Sequence, residues 1–256
     1  MEKHATFHDL EGKSVFITGG GSGIGAALTE GFVQQGAKVA FVQRSDASEF
    51  CDRIEGTYGT RPLFIPCDIT DVDALRGAIS QASEAHGAVQ ILVNNAANDE
   101  RKDMLDVDEA YYDKMMDINL KAYFFGCQAV LPDMMAAGKG TIVNFSSISY
   151  MMGNGKYPVY TGANAAITGM TRSIARDYGP KGIKANALMP GWVLTPKQVA
   201  EHGDPDALAG HLARQCIPEH LVEADIVGAA LFLASDVSRM MTGQAMVVDG
   251  GVVVTG

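Results

Sequence analysis

Ser14-Val15-Phe16-Ile17-Thr18-Gly19-Gly20-Gly21-Ser22-Gly23-Ile24-Gly25 runs from an apolar, β-branched stretch straight into a glycine-rich turn, and a helix-period segment through Ala26, Leu28 and Phe32 follows. Glycine lets a backbone turn tightly and approach an anion, and the free N–H groups and positive dipole end of a new helix then face that anion. A strand, a glycine turn and a helix in this order predict a dinucleotide site, with Thr18, Gly19, Gly21, Ser22, Gly23, Ile24 and Gly25 around a pyrophosphate.

Six further runs repeat the pattern of the first, Ser14 to Ile17: Lys38 to Val42, Leu63 to Pro66, Gln90 to Asn94, Thr141 to Phe145, Ile183 to Leu188 and Ala245 to Val248. Each is nearly continuous in apolar character, as strands covered by helices on both faces are. Helix-period segments begin near Gly23, Ser48, Asp71, Asp108, Val159, Pro196 and Glu219, and several stop at a glycine, as at Gly36, Gly87 and Gly138. This alternation predicts right-handed crossovers and an α/β fold with a Rossmann-like, doubly wound, seven-stranded parallel sheet. Ligands sit at the carboxyl ends of strands in such sheets. With no linker, charge block or repeat, residues 1–256 read as a single domain.

The formal net charge of −10, without a basic stripe, argues against nucleic-acid binding. Met1 to His8 holds no apolar run, and no stretch approaches the roughly 18 apolar residues of a membrane span, which predicts a cytoplasmic protein. Cys51, Cys67, Cys127 and Cys216 form no C-x-x-C pair and are expected to be reduced and mostly buried. The six histidines, His4, His8, His86, His202, His211 and His220, form no H-x-x-x-H arrangement; surface positions and no metal are expected.

At the end of the second run, Val42-Gln43-Arg44-Ser45 lacks the carboxylate with which NAD enzymes hold the adenosine ribose. Arg44, with Ser45 as a second donor, instead suits the 2′-phosphate of NADP, although neighbouring Asp46 could cancel part of its charge and NAD stays open.

Three further segments carry the chemistry: Asn94-Asn95-Ala96-Ala97, Met116-Asp117-Ile118-Asn119 and Asn144-Phe145-Ser146-Ser147, the last followed thirteen residues later by Tyr160. Together with the T-G-x-x-x-G-x-G turn they resemble the short-chain dehydrogenase/reductase family, in its single-domain branch of about 250 residues. The resemblance implies Tyr160 as acid/base, Ser147 on the substrate oxygen and Asn119 positioning a water of the proton relay. It also implies Asp68 and Ile69 at the adenine, Asn95, Ala96 and Ala97 along the cofactor, and the Pro190-Gly191 segment beside it, with the Val193 backbone and Thr195 hydroxyl on the nicotinamide carboxamide. Relatives read N-N-A-G where this chain ends in Ala97. They also carry a lysine four residues after the tyrosine, where this chain has Asn164. Asn164 can donate to a ribose hydroxyl but holds no charge, so Tyr160 is expected near the free phenol value of about 10. Lys156, four residues before Tyr160, lies between Gly155 and Tyr157-Pro158 and is expected outside the helix.

These features predict an oxidoreductase transferring hydride between NADP(H) and an alcohol or carbonyl substrate. Polar loop residues Asn98 to Arg101, Asn154, Lys156 and Trp192, and a resemblance of the Asn-Asp-x-Arg run to members acting on aldoses, point to a sugar or polyol. The alternative is an impaired NADP-binding protein that senses a ligand. Pro196 to Cys216 is expected to form a mobile helical lid. The apolar tail Gly250 to Val254 suggests burial in a homo-tetramer, an assembly common among relatives.

Overall fold

The apolar run before the glycine turn is a buried strand, β1 (Ser14–Thr18). Its side chains divide by alternation: Val15 and Ile17 join one apolar layer and Phe16 the other. Both faces are therefore covered, which is why the strand reads as apolar without a polar alternate. The structure is a computed structural model and describes residues 5–254, so the expectations resting on Met1 to His4 lie outside the described residues.

Six more strands join β1: β2 (Lys38–Gln43), β3 (Leu63–Pro66), β4 (Ile91–Asn94), β5 (Gly140–Phe145), β6 (Ile183–Pro190) and β7 (Ala245–Val248). All pair in parallel in the order β3-β2-β1-β4-β5-β6-β7. The fold is thus the expected α/β doubly wound sheet. After β3 the chain crosses back over β1 to lay down β4, and the crevice where strand order reverses lies between their carboxyl ends.

The α-helices are α1 (Gly23–Gln34), α2 (Ser48–Tyr58), α3 (Val72–His86), α4 (Glu109–Met116), α5 (Ala122–Ala137), α6 (Ser149–Met152), α7 (Pro158–Tyr178), α8 (Pro196–His202), α9 (Pro205–Leu212) and α10 (Glu223–Ala234). Leu28 and Phe32 of α1 pack with Ile226 and Leu231 of α10 on one face, and Leu75 of α3 with Val130 and Met134 of α5 on the other. Between α4 and α5 the helix widens into a π turn over Asp117–Lys121, and this turn carries buried Asn119. Among the described residues no helix is long and apolar enough to cross a membrane.

Several strand ends differ from expectation by one or two residues, and three differences have a clear local setting. Gln90 lies just before β4, where its backbone N–H donates to Ser14 O at 3.0 Å and its side chain accepts from Ser14 N at 3.2 Å. α10 starts at Glu223 rather than near Glu219, since Leu221 is held in a bridge with Val193 and accepts from Leu194 N at 2.9 Å. The expected lid is two short helices: Asp204 caps α9 through Ala207 N at 2.9 Å, and Pro205 begins the new helix.

The apolar tail is largely covered by its own chain. Asp249 accepts from Gly251 N and Val253 N, each at 2.8 Å, and Gly250 O accepts from Cys216 N and Ile217 N at 2.8 and 2.9 Å. Only Val254 remains fully exposed, at 86%. Cys51, Cys67 and Cys127 are buried free thiols, while Cys216 is exposed.

A buried polar chain ties α7 to the sheet. Asn94 Nδ2 donates to Asn144 Oδ1 at 2.9 Å, and Asn144 Nδ2 donates to Thr171 Oγ1 at 3.0 Å. Removing the middle amide leaves buried partners unpaired, so Asn144→Ala is expected to cost about 2 to 3 kcal/mol in urea unfolding. A cost below about 0.5 kcal/mol, the level of ordinary surface substitutions, would show that this chain does not hold the helix.

Candidate active site

A cavity of about 1140 Å³ opens at the carboxyl ends of the central strands. Its first wall is the glycine turn, where Gly19 and Gly23 adopt φ of +70° and +49°. Thr18 clips this turn to the loop after β4: its hydroxyl accepts from Asn95 N at 2.9 Å and Ala96 N at 3.1 Å, while Asn95 Nδ2 donates to Thr18 O at 3.0 Å. Gly25 has no room for a side chain, because a Cβ there would overlap the Gly19 carbonyl. Ser22 stands at the N-cap of α1 without a side-chain hydrogen bond, which leaves the first helical N–H groups free at the cavity.

Gly19, Ser22, Ile24 and Gly25 line the cavity, whereas Thr18, Gly21 and Gly23 do not. Thr18 is consumed by the clip. A Cβ on Gly21 would collide with Gln43, and one on Gly23 would press on Thr195 at 3.3 Å. Thr18 and Gly21 shape the turn from behind, while Gly23 is covered by Thr195, which lines the cavity in its place.

Along the outer arm lie Arg44, Ser45, Asp68 and Ile69. The Arg44 side chain is 74% exposed, and its Nη1 is 4.0 Å from Asp68 Oδ2. Asp68 also accepts from Thr70 N at 3.0 Å and Thr70 Oγ1 at 2.8 Å. The Thr70 N–H above all, with its hydroxyl and Arg44, outweighs burial and holds the Asp68 carboxyl below its ordinary range. Asp46 does not pair with Arg44; it accepts from Ser48 N and Oγ at 3.2 and 2.7 Å.

Asn119, Ser147, Tyr160 and Asn164 line the inner arm, with Asn95, Ala96, Ala97, Pro190, Gly191, Val193 and Thr195 beside them. Burial pushes the Tyr160 hydroxyl up to about 12, and the charge of Asp99 adds to this. The side chains of Ser147 and Asn164 act in the opposite direction without overcoming it. Asn164 Nδ2 donates back along the helix to Tyr160 O at 2.9 Å, and Ser146 Oγ donates to Asn164 O at 2.9 Å. Both ends of the Asn119 amide grip Asn98: Asn98 N donates to Oδ1 at 2.8 Å, and Nδ2 donates to Asn98 O at 2.9 Å. Lys156 lines the cavity from an exposed loop at φ +74°, outside α7 as expected.

Sequence reasoning expected helices over Pro196 to Cys216 but missed the contacts by which α8 and α9 form a wall of the cavity. Asp99 Oδ2 accepts from Gln198 Nε2 at 2.7 Å, and Gln198 Oε1 accepts from Trp192 Nε1 at 2.9 Å. Burial alone would raise the Asp99 carboxyl, but the Gln198 hydrogen bond and the Lys197 charge keep it below its ordinary value. His211 is not on the surface: it is 9% exposed, with its ring edge-on to Trp192 at 5.3 Å. Its spacing from Leu208 and Leu212 on one helix was the available signal. Ligand-type atoms of Asp99, Glu201 and His202 also lie within 4.8 Å of one another. The Lys197 ammonium stands 3.3 Å from Asp99 and 3.7 Å from Glu201, and so supplies that group's positive charge itself.

This geometry sets helix N–H donors at one end of a crevice and a phenol beside a hydroxyl at the other, a layout suited to proton transfer next to a bound dinucleotide. The family model described as enoyl-(acyl carrier protein) reductase matches residues 19–253. A "Probable galactose dehydrogenase GalD" of Rhizobium meliloti (strain 1021) is 45% identical over 248 residues, covering 96% of this chain and 97% of that protein. A D-xylose 1-dehydrogenase of Caulobacter vibrioides is 38% identical over 248 residues, covering 96% and 98%. Among solved structures, a blue fluorescent protein from a metagenomic library, in complex with NADPH, aligns with a TM-score of 0.86 at 32% identity, covering 96% of this chain and 100% of that one. The chain belongs to the short-chain dehydrogenase/reductase family and is an NAD(P)-dependent oxidoreductase of that family.

Gly25→Ala is expected to force the turn open. NADPH affinity, read by fluorescence titration, should fall at least about tenfold, the equivalent of 1.4 kcal/mol. Unchanged affinity would mean that the turn tolerates the added methyl.

Proposed function

We propose that this protein interconverts an alcohol and a carbonyl on a sugar or polyol, with NADP(H) as its hydride carrier. One observation carries the proposal: Tyr160 and Ser147 share a cavity with the free helix donors of α1 and with a polar wall that includes Asp99, Asn154 and Trp192. The galactose and xylose dehydrogenases among the relatives support the sugar class. Buried polar walls favour substrates that bring matching hydroxyls, because unmatched groups lose their hydrogen bonds.

The nicotinamide cofactor, when bound, supplies or accepts the hydride. In this proposal Ser147 holds the substrate oxygen, and Tyr160 gives that oxygen a proton in reduction or removes one in oxidation. Asn119 is assigned to the proton relay through its hold on Asn98. The remaining cofactor contacts go to Gly19, Ser22, Ile24, Gly25, Asp68, Ile69, Asn95, Ala96, Ala97, Pro190, Gly191, Val193 and Thr195. Arg44 and Ser45 favour the 2′-phosphate of NADP, since Arg44 reaches the cavity with only a loose ion pair to Asp68. A homo-tetramer would cover the apolar groove of Met116, Leu120, Phe124 and Phe125, in which Phe124 is half exposed.

Asn164 takes the place of the family's lysine in this assignment. Without a cation, a phenol near 12 is fully protonated at neutral pH, which serves reduction. Oxidation needs the phenolate, roughly one part in 10⁵ at pH 7, so its rate should climb about tenfold per pH unit. The second reading, an impaired NADP-binding sensor, rests on this same residue. An NADP(H)-coupled survey of aldoses, polyols and ketones at neutral and alkaline pH separates the two: no turnover at any pH favours the sensor.

Arg44→Ala should weaken NADP(H) binding by about 1.5 kcal/mol, the low end for a charge-assisted bond at an exposed site, and leave NAD(H) unchanged. Equal losses for both cofactors would assign Arg44 to structure.

Asn164→Lys should raise oxidation near pH 7 and move the alkaline limb of the rate profile down by about one unit or more. Tyr160→Phe should abolish turnover in both backgrounds. Wild-type oxidation that is fast at pH 7 and gains nothing from the lysine would sink the assignment.

A further inference from the structure

His211 is a buried polar side chain whose Nε2 has no hydrogen-bond partner, and it lines the same cavity as Ser147 and Tyr160. An unpaired buried ring nitrogen is costly and rare in a well-packed protein. Its surroundings belong to the arm opposite Arg44. Trp192 stands edge-on to the ring, and Arg214 Nη1 donates to Asn154 Oδ1 at 3.3 Å beside it. Burial, then the charge of Arg214 and of His220, disfavours the imidazolium, against a smaller opposing effect of Asp249. The ring is neutral near pH 7 and offers one nitrogen as donor and the other as acceptor.

We infer that His211 is a specificity-determining residue, its Nε2 hydrogen-bonding one substrate hydroxyl remote from the reacting carbon. This inference rests on the sugar or polyol class proposed above. A hydroxyl can either give or take a proton at Nε2, so either tautomer is satisfied. An apolar group in its place leaves the nitrogen unpaired, which is how a buried polar site rejects an analogue lacking the matching hydroxyl. Because His211 lies on α9 and Trp192 on the loop after β6, the contact joins these two segments of the cavity wall.

Trp192 is the sole tryptophan of the chain and touches His211, so its fluorescence reads sugar binding with or without turnover. The experiment compares wild type with His211→Phe, which keeps the ring's shape, and His211→Gln, which restores an amide. Each NADP⁺-loaded protein is given D-galactose, D-xylose and their monodeoxy analogues. In wild type, one deoxy analogue should lose at least about tenfold in kcat/KM and in affinity. His211→Phe should lose a similar factor on the parent sugar and nothing further on that analogue, with NADPH affinity unchanged. His211→Gln should recover part of the loss. Turnover with parallel losses on parent and analogue would overturn the His211 assignment and leave the proposed function standing. Saturable sugar binding with the expected coupling but no turnover would do the reverse. No sugar binding at all would overturn both.

Discussion

The clip between Thr18 and Asn95 is the contact on which the site depends. At the switch point the chain leaves β1 in one direction and β4 in the other, and nothing in a parallel ladder holds the two departing loops together. Two hydrogen bonds into the Thr18 hydroxyl and one from the Asn95 amide supply that hold. The turn can then lie close to the next loop only because Gly19 and Gly25 carry no side chains. A crevice of fixed width follows, bounded on one side by helix donors and on the other by the Asn95 to Ala97 backbone. Preorganisation of this kind lets a bound dinucleotide be oriented without further ordering of the protein.

The second anchor is the seat of α7. Asn144 reaches Thr171, Ser146 reaches the Asn164 carbonyl, and the helix carrying Tyr160 is thereby fixed against β5 by buried polar bonds. Asn164 occupies an unusual place in this seat. Its amide already donates to the Tyr160 carbonyl, a local bond that a short amide side chain makes readily and a lysine does not need. The second N–H of the same amide stays free for a ribose hydroxyl. In the proposed assignment the larger consequence of Asn164 is electrostatic: it brings no charge to offset the Asp99 carboxylate, which with burial raises Tyr160.

The strands were legible because a parallel sheet buried on both faces leaves each run apolar, as in Val39 to Val42 and Ile91 to Val93. The site motifs were legible because backbone requirements, a glycine turn or a helix start, constrain residue type locally. What was not legible depended on contacts between distant segments. Asp99 meets Gln198 across 99 residues, and no local pattern in either segment announces the other. His211 was partly legible, from its spacing to Leu208 and Leu212, but its contact with Trp192 is nonlocal, and its neighbours Ala209, Gly210 and Arg214 read as surface. The start of α10 moved because Leu221 pairs with Val193, again a nonlocal bond.

The proposed substrate class and the protonation of Tyr160 bear on each other. A base of high pKa is the stronger proton acceptor but is scarce as the anion at neutral pH, so the best partner for it is an alcohol that gives up its proton easily. The anomeric hydroxyl of an aldose is a stronger acid than an ordinary secondary alcohol, because the adjacent ring oxygen withdraws charge. Proton transfer from it to a tyrosinate that retains its full basicity is therefore more favourable than transfer to one whose basicity a neighbouring cation has reduced. The absent charge lowers the population of the active base and raises its strength at the same time, and these two effects oppose each other in the rate. Since the dependence of rate on base strength is only partial, the population effect wins, and oxidation loses more than the stronger base restores. Under the proposed assignment the cost therefore falls on oxidation, which needs the phenolate, while carbonyl reduction uses the phenol that burial already favours.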